Sequence, residues 1–125
     1  MANTLCKSER LDRKKVIEKM FAGSAHSFSL FPLRVVYLPV DDLEAPVSIL
    51  ISVSKRRFKR AVKRNRVKRQ IREAYRLHKS LLLPAVEQKG CKLAVAFIYL
   101  SDRLVESSYI DKRMQLALSR IAESL

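Results

Sequence analysis

Between Ser54 and Ser80 the chain crowds thirteen of its 26 lysines and arginines. They are Lys55, Arg56, Arg57, Lys59, Arg60, Lys63, Arg64, Arg66, Lys68, Arg69, Arg72, Arg76 and Lys79, opposed only by Glu73. The whole chain has a formal net charge of +14, so nearly all of its excess base sits in this stretch. Guanidinium and ammonium groups at this density bind anions, and arginine can grip a phosphate with two parallel hydrogen bonds. Cations held at fixed spacing suit a polyanion of defined shape. That points to nucleic acid ahead of an acidic membrane or an acidic protein.

The order of residues separates a folded element from a disordered basic tail. With 100° per residue, Val67, Ile71, Ala74, Tyr75, His78, Leu81 and Leu82 gather within about a third of the helical circle. Asn65, Arg69, Arg72 and Arg76 fall nearly opposite, with Lys68 on their flank. A disordered tail has no reason to sort its side chains this way. The pattern predicts an amphipathic helix from Ala61 to Leu83, stopped by Pro84. The basic loop Lys55–Arg60 leads into its N-terminus, where free N–H groups and the helix dipole also favour anions.

Other chemistry is poorly represented. His26 lies in an expected loop, and His78 on the core side of the basic helix as a structural histidine. Gly23 and Gly90 are the only glycines, so no glycine-rich phosphate loop exists. Cys6 and Cys91 are far apart and have no histidines at zinc-binding spacing. Asp41, Asp42 and Glu44 mark an exposed acidic loop without a partner histidine. No catalytic set and no metal site follow from these residues, and a binding subunit is the economical reading.

The elements that must position the cations can be read along the chain. At 125 residues, with 48% hydrophobic and 30% charged residues, a single domain over 1–125 is expected. The N-terminus lacks the apolar core of a signal peptide, and the run Leu93–Leu100 is too short to span a bilayer, so a soluble cytoplasmic protein is expected. Asp12 can cap a helix Arg13–Ala22 ended by Gly23. Phe21 on it is either a core aromatic or a ring on which a base could stack. Strands are expected at Ser27–Phe31, Leu33–Leu38, Val47–Ser54 and Lys92–Leu100. Ser107 or Ser108 caps a last helix to Glu123. The third and fourth strands flank the basic helix as a βαβ unit and should be parallel. The order is α-β-β-β-α-β-α on a mixed sheet, an α/β arrangement whose general rule gives a right-handed crossover.

The segment SVSKRRFKRAVKRNRVKRQIREAYR resembles the signature region of the bacterial ribonuclease P protein component. The likeness rests on Ser54-Lys55-Arg56, Ala61-Val62, Arg64-Asn65-Arg66-Val67-Lys68-Arg69 and Arg72-Glu73-Ala74. It extends to Arg10-Leu11 with Phe21 ten positions on, and to the later strands in order. The resemblance implies a mixed four-stranded sheet with a left-handed βαβ crossover, similar to a ribosomal protein S5 domain 2-like fold. It further implies a ribonucleoprotein endoribonuclease in which the RNA subunit is the catalyst and holds Mg²⁺, while the protein alone is non-catalytic and binds no cofactor. The protein, one per RNA, would bind the catalytic RNA and the 5′ leader of precursor tRNA. Matching positions imply RNA contacts at Lys55, Arg56, Arg64, Asn65, Arg66, Lys68, Arg69 and Arg72, and a leader cleft lined by Phe21 and Tyr37. Two departures stand out: Ile17 replaces an aromatic found in many members, and Arg57–Arg60 carries Phe58 where a glycine is common. The basic helix by itself would also suit a general RNA-binding scaffold, and the charge pattern leaves a protein-only nuclease as a third reading.

Overall fold

A computed structural model describes residue 18 and residues 25–40 and 46–125. Apart from helical Glu18, the expected helix Arg13–Ala22 lies outside the described residues, as do Phe21, Cys6, Asp41, Asp42 and Glu44. Strand β1 (His26–Leu30) turns at Phe31–Pro32 into β2 (Leu33–Pro39), with which it pairs antiparallel. The strand β4 (Leu93–Tyr99) pairs antiparallel with β2 and parallel with β3 (Val47–Ser52). The sheet order is β1-β2-β4-β3. The near-continuous apolar run of β4 thus takes an interior position, flanked by a strand on each side. The parallel pairing expected of a βαβ unit is present, with Ile49 opposite Val95.

Alternation along the strands divides the sheet into two faces. One carries Leu33, Val35, Tyr37, Val47, Ile49, Leu93, Val95, Phe97 and Tyr99. Helices cover it with two apolar seams. Helix α1 (Ala61–His78) contributes Val67, Ile71, Ala74 and Tyr75. Past a short α2 (Leu83–Lys89), the C-terminal helix α3 (Ser107–Ser124) contributes Ile110, Met114, Ala117, Leu118 and Ile121. The second face is built of smaller groups, with Val36, Ala94 and Ala96 buried and Leu38, Leu50 and Ile98 partly so.

Helix α1 stops earlier than its periodicity suggests. After His78 the backbone tightens into a 3-10 turn at Lys79–Leu81. Pro84 then opens a separate helix, α2 (Leu83–Lys89), instead of closing α1. A proline in the first turn lacks only an N–H that would have had no partner there. Gly90 closes α2 at φ 66°, a left-handed backbone that glycine adopts without a Cβ clash. The start of α3 also departs from expectation: its N-cap is Glu106, without a side-chain cap, and Ser107 is already helical. His26, expected in a loop, opens β1 and stacks on Tyr37 with centroids 5.3 Å apart. Among the described residues no helix is long and apolar enough to cross a membrane.

Phe97 is fully buried on the helix-covered face, with its ring 6.2 Å from that of Tyr75 on α1. Replacing it with alanine should cost about 3–5 kcal/mol, read as a lowered urea midpoint. A cost below about 1 kcal/mol would contradict a core shared by β4 and α1.

Candidate nucleic acid interface

Burial of Val67, Ile71, Ala74 and Tyr75 sets the rotation of α1 about its own axis. Two polar ties to the following segment and α3 fix it further. Gln70 Nε2 donates to the Val105 carbonyl at 3.1 Å and to Ser107 Oγ at 3.0 Å. His78 Nε2 lies 2.7 Å from Asp111 Oδ1, and Gln115 Nε2 is 3.4 Å from the same ring nitrogen. His78 is therefore a structural link between helices, as its core-side position on the wheel suggests. With the seam and both ties on one side, the remaining arc of α1 carries the cations.

Asn65, Arg66 and Arg69 are exposed on this arc, and Lys68 and Arg72 are half-buried at its margin. Lys55, Arg56, Lys59 and Arg60 are exposed in the loop that precedes the helix. Among the described residues, ion pairs engage Arg57, Arg76 and His78, and none engages Lys55, Arg56, Asn65, Arg66, Lys68, Arg69 or Arg72. Seven of the eight positions expected to touch RNA thus lie together on one loop-and-helix surface. Arg64 stands apart, because its Nη1 donates to the carbonyls of Phe58 at 2.8 Å and Lys59 at 2.9 Å. Arg76, opposite the seam on the wheel, is held by Glu73, with Nε donating to Oε2 at 3.0 Å. The hydrogen bond from Arg76 keeps the Glu73 carboxyl below the usual carboxylate range, and the same bond raises Arg76 above its ordinary value.

Tyr37 is 7% exposed on the helix-covered face, and its hydroxyl shares a 2.7 Å hydrogen bond with Ser124 Oγ of α3. The two-residue period of β2 sends Val36, not Tyr37, to the second face. Tyr37 therefore packs against α3, on the side of the sheet that α1 also covers. Phe21 lies outside the described residues. On the second face Ser48 is buried, and its neighbours there include Ala94 and Ala96.

The loop conformation was not legible from charge. Phe58 is 6% exposed, its ring centroid 6.0 Å from that of Tyr99. Arg57 Nη1 donates to Asp102 Oδ1 at 3.0 Å, so this arginine faces the β4–α3 loop. The available signal was Phe58 itself, a large apolar ring among cations that had to find a core. Burial also raises the Tyr99 phenol above its ordinary value, so it stays protonated and donates to the Arg103 carbonyl at 2.7 Å. Among the described residues, no group of three or more His, Cys, Asp or Glu could hold a metal ion.

The family model for Ribonuclease P matches residues 5–120. The ribonuclease P protein component of Porphyromonas gingivalis is 46% identical over 119 residues, covering 94% of this chain and 86% of the relative. That of Chlorobaculum tepidum is 34% identical over 104 residues, covering 78% and 68%. In fold, the chain resembles a Staphylococcus aureus RNase P protein mutant with defective mRNA degradation activity. The TM-score is 0.71 at 23% identity, covering 94% of this chain and 90% of that one. It also resembles the RNase P protein of Thermotoga maritima, with a TM-score of 0.68 at 18% identity, covering 90% and 96%.

Glu73 is the acid that competes for the cationic arc. Its lowered value means the pairing with Arg76 is complete above the ordinary carboxylate range and is lost as pH falls through the folded value. Glu73→Gln should remove the acidic charge beside the arc and the carboxylate hold on Arg76 at neutral pH. Binding to a structured RNA should tighten, and the slope of log K against log salt should steepen by up to about one. Unchanged affinity and slope would show that Arg76 does not face the polyanion.

Proposed function

The chain belongs to the ribonuclease P protein family, and from that premise we propose that it binds the catalytic RNA through α1 and its preceding loop and guides the 5′ leader of precursor tRNA. The observation that carries this reading is the arc of Lys55, Arg56, Asn65, Arg66, Lys68, Arg69 and Arg72, which makes no ion pair with a described residue. Cations on a packed helix that make no ion pair with a described residue are poised for phosphates and need little reordering on binding. Loop and helix N-terminus meet at Arg60, so phosphates there would also face the free N–H groups of the first turn.

In this reading the chain supplies no group to the cleavage step. Mg²⁺ would supply Lewis-acid chemistry as a ligand of the RNA. A cationic arc is a poor host for a divalent cation, and the donor sets among the described residues do not suit one. What these residues do is neutralise backbone charge. Arg66 and Arg69 lie outward for phosphate, Arg72 and Lys68 border them, and Asn65 offers an amide able to donate and accept. Neutralisation lets RNA segments approach each other at lower Mg²⁺ concentration. The leader would lie in a cleft between α1 and the sheet, as the family resemblance implies. One chain over 1–125 would act as a single domain with one RNA.

Reconstitution tests this. Purified protein alone should not cut precursor tRNA, and adding it to the cognate catalytic RNA at low Mg²⁺ should increase cleavage. If it neither binds that RNA nor changes the rate, the proposal fails. Substrate with a leader should bind the complex better than mature tRNA, whereas a general RNA scaffold would not discriminate.

Neutralising about five phosphates gives a log K against log salt slope of roughly −3.5 to −4.5. Arg69→Ala and Arg72→Ala should each reduce its magnitude by about one. A slope near zero would contradict the electrostatic account.

A further inference from the structure

We infer that Arg64 is a positioning residue, a brace that holds the Lys55–Arg60 loop in its RNA-facing shape, and not a direct phosphate ligand. The consequence for RNA rests on the proposed function above; the brace itself does not. The motif match places Arg64 with the RNA-contacting cations, although at 100° per residue it falls on the seam side of the wheel. The structure turns its Nη1 to the protein's own backbone, where it donates to two successive carbonyls, Phe58 and Lys59. These carbonyls precede the helix, outside its hydrogen-bond ladder, and a guanidinium one turn in can reach both.

The rest of the loop shows why a brace is needed. Ser54–Arg60 contains no glycine and no regular secondary structure. Its order comes from side chains and a tight turn. The Ser54 carbonyl accepts from Arg57 N at 3.0 Å and Phe58 N at 3.3 Å, and Ser54 Oγ accepts from Arg56 N at 3.0 Å. Phe58 is buried against Tyr99, and Arg57 is tied to Asp102. Arg64 closes this set by holding the backbone between the buried ring and the helix. The basic residues therefore divide into two kinds. Arg57 and Arg64 bond to other parts of the chain as supports, and Lys55, Arg56, Lys59 and Arg60 remain exposed. Without the support the loop would sample many conformations, and each of its exposed cations would lose its fixed place relative to α1.

The test compares Arg64→Ala with Arg72→Ala, the latter a proposed direct contact. In free protein, hydrogen exchange is read at the amides of Arg57 and Phe58, which donate to Ser54. In complex with the cognate catalytic RNA, the salt slope is read. Arg64→Ala should speed exchange at both amides by about tenfold while shifting Tm by no more than about 2 °C. It should reduce the salt slope by about two or more, because several loop cations lose register together. Arg72→Ala should leave exchange unchanged and reduce the slope by about one. Should Arg64→Ala destabilise the whole chain, Arg64→Lys serves instead. Its ammonium keeps the charge but stops short of both carbonyls, so exchange should still quicken, whereas a phosphate contact would be kept. Unchanged exchange in the Arg64 variants, or a slope loss of only one, overturns the inference. A wild-type chain that does not bind the RNA sinks the proposed function and this residue's part in recognition, while exchange still reports on the brace.

Discussion

The burial of one apolar seam on α1 is the constraint from which the rest follows. Val67, Ile71, Ala74 and Tyr75 can leave water only by facing the sheet and α3, and that choice fixes where every other residue of the helix points. Burial of side chains this size stabilises by roughly 1.5–3 kcal/mol each for the larger ones. The cations opposite add nothing to stability and repel one another. The core therefore holds the like charges of Arg66, Lys68, Arg69 and Arg72 together on one arc, ready for a partner that supplies the missing negative charge.

The same logic separates basic residues that support from basic residues that present. Arg57, Arg64 and Arg76 find partners within the chain, at Asp102, at backbone carbonyls and at Glu73. Arginine suits both uses, since its planar fork can satisfy a carbonyl pair or a carboxylate as readily as a phosphate. Counting positive charge thus overstates the binding surface. Geometry selects a smaller set, organised around the loop–helix junction near Arg60. The polar ties at Gln70 and His78 extend this order to α3, so that helix helps to fix the rotation of α1.

Much of the fold was legible because period and composition agree. Strands β2, β3 and β4 announce themselves by β-branched and apolar runs, and the βαβ reading predicts the parallel β3–β4 pairing that is observed. The helix end was misread because Pro84 carries two meanings, stop or first turn, and only the 3-10 turn at Lys79–Leu81 decides between them. Arg64 was placed with its neighbours by the motif match, whereas the wheel already turns it toward the seam side, where its long side chain reaches the Phe58 and Lys59 carbonyls. The anchoring of the loop by Phe58 needed a tertiary partner, Tyr99, some forty residues away, and no local pattern encodes that contact.

The central claim is that α1 presents its cationic arc to RNA. A tethered hydroxyl-radical probe tests it most directly, with cysteine placed at Val62 on α1 or at Leu116 on α3 in a variant lacking the native cysteines. Both sites are open, Val62 at 79% and Leu116 at 53% exposure, and neither is a proposed contact. In the complex with the cognate catalytic RNA, the probe at position 62 should cut a defined set of nucleotides and the probe at 116 should cut few or none. Cleavage from 116 with none from 62 would place the RNA on the other side of the molecule and contradict the assignment of α1.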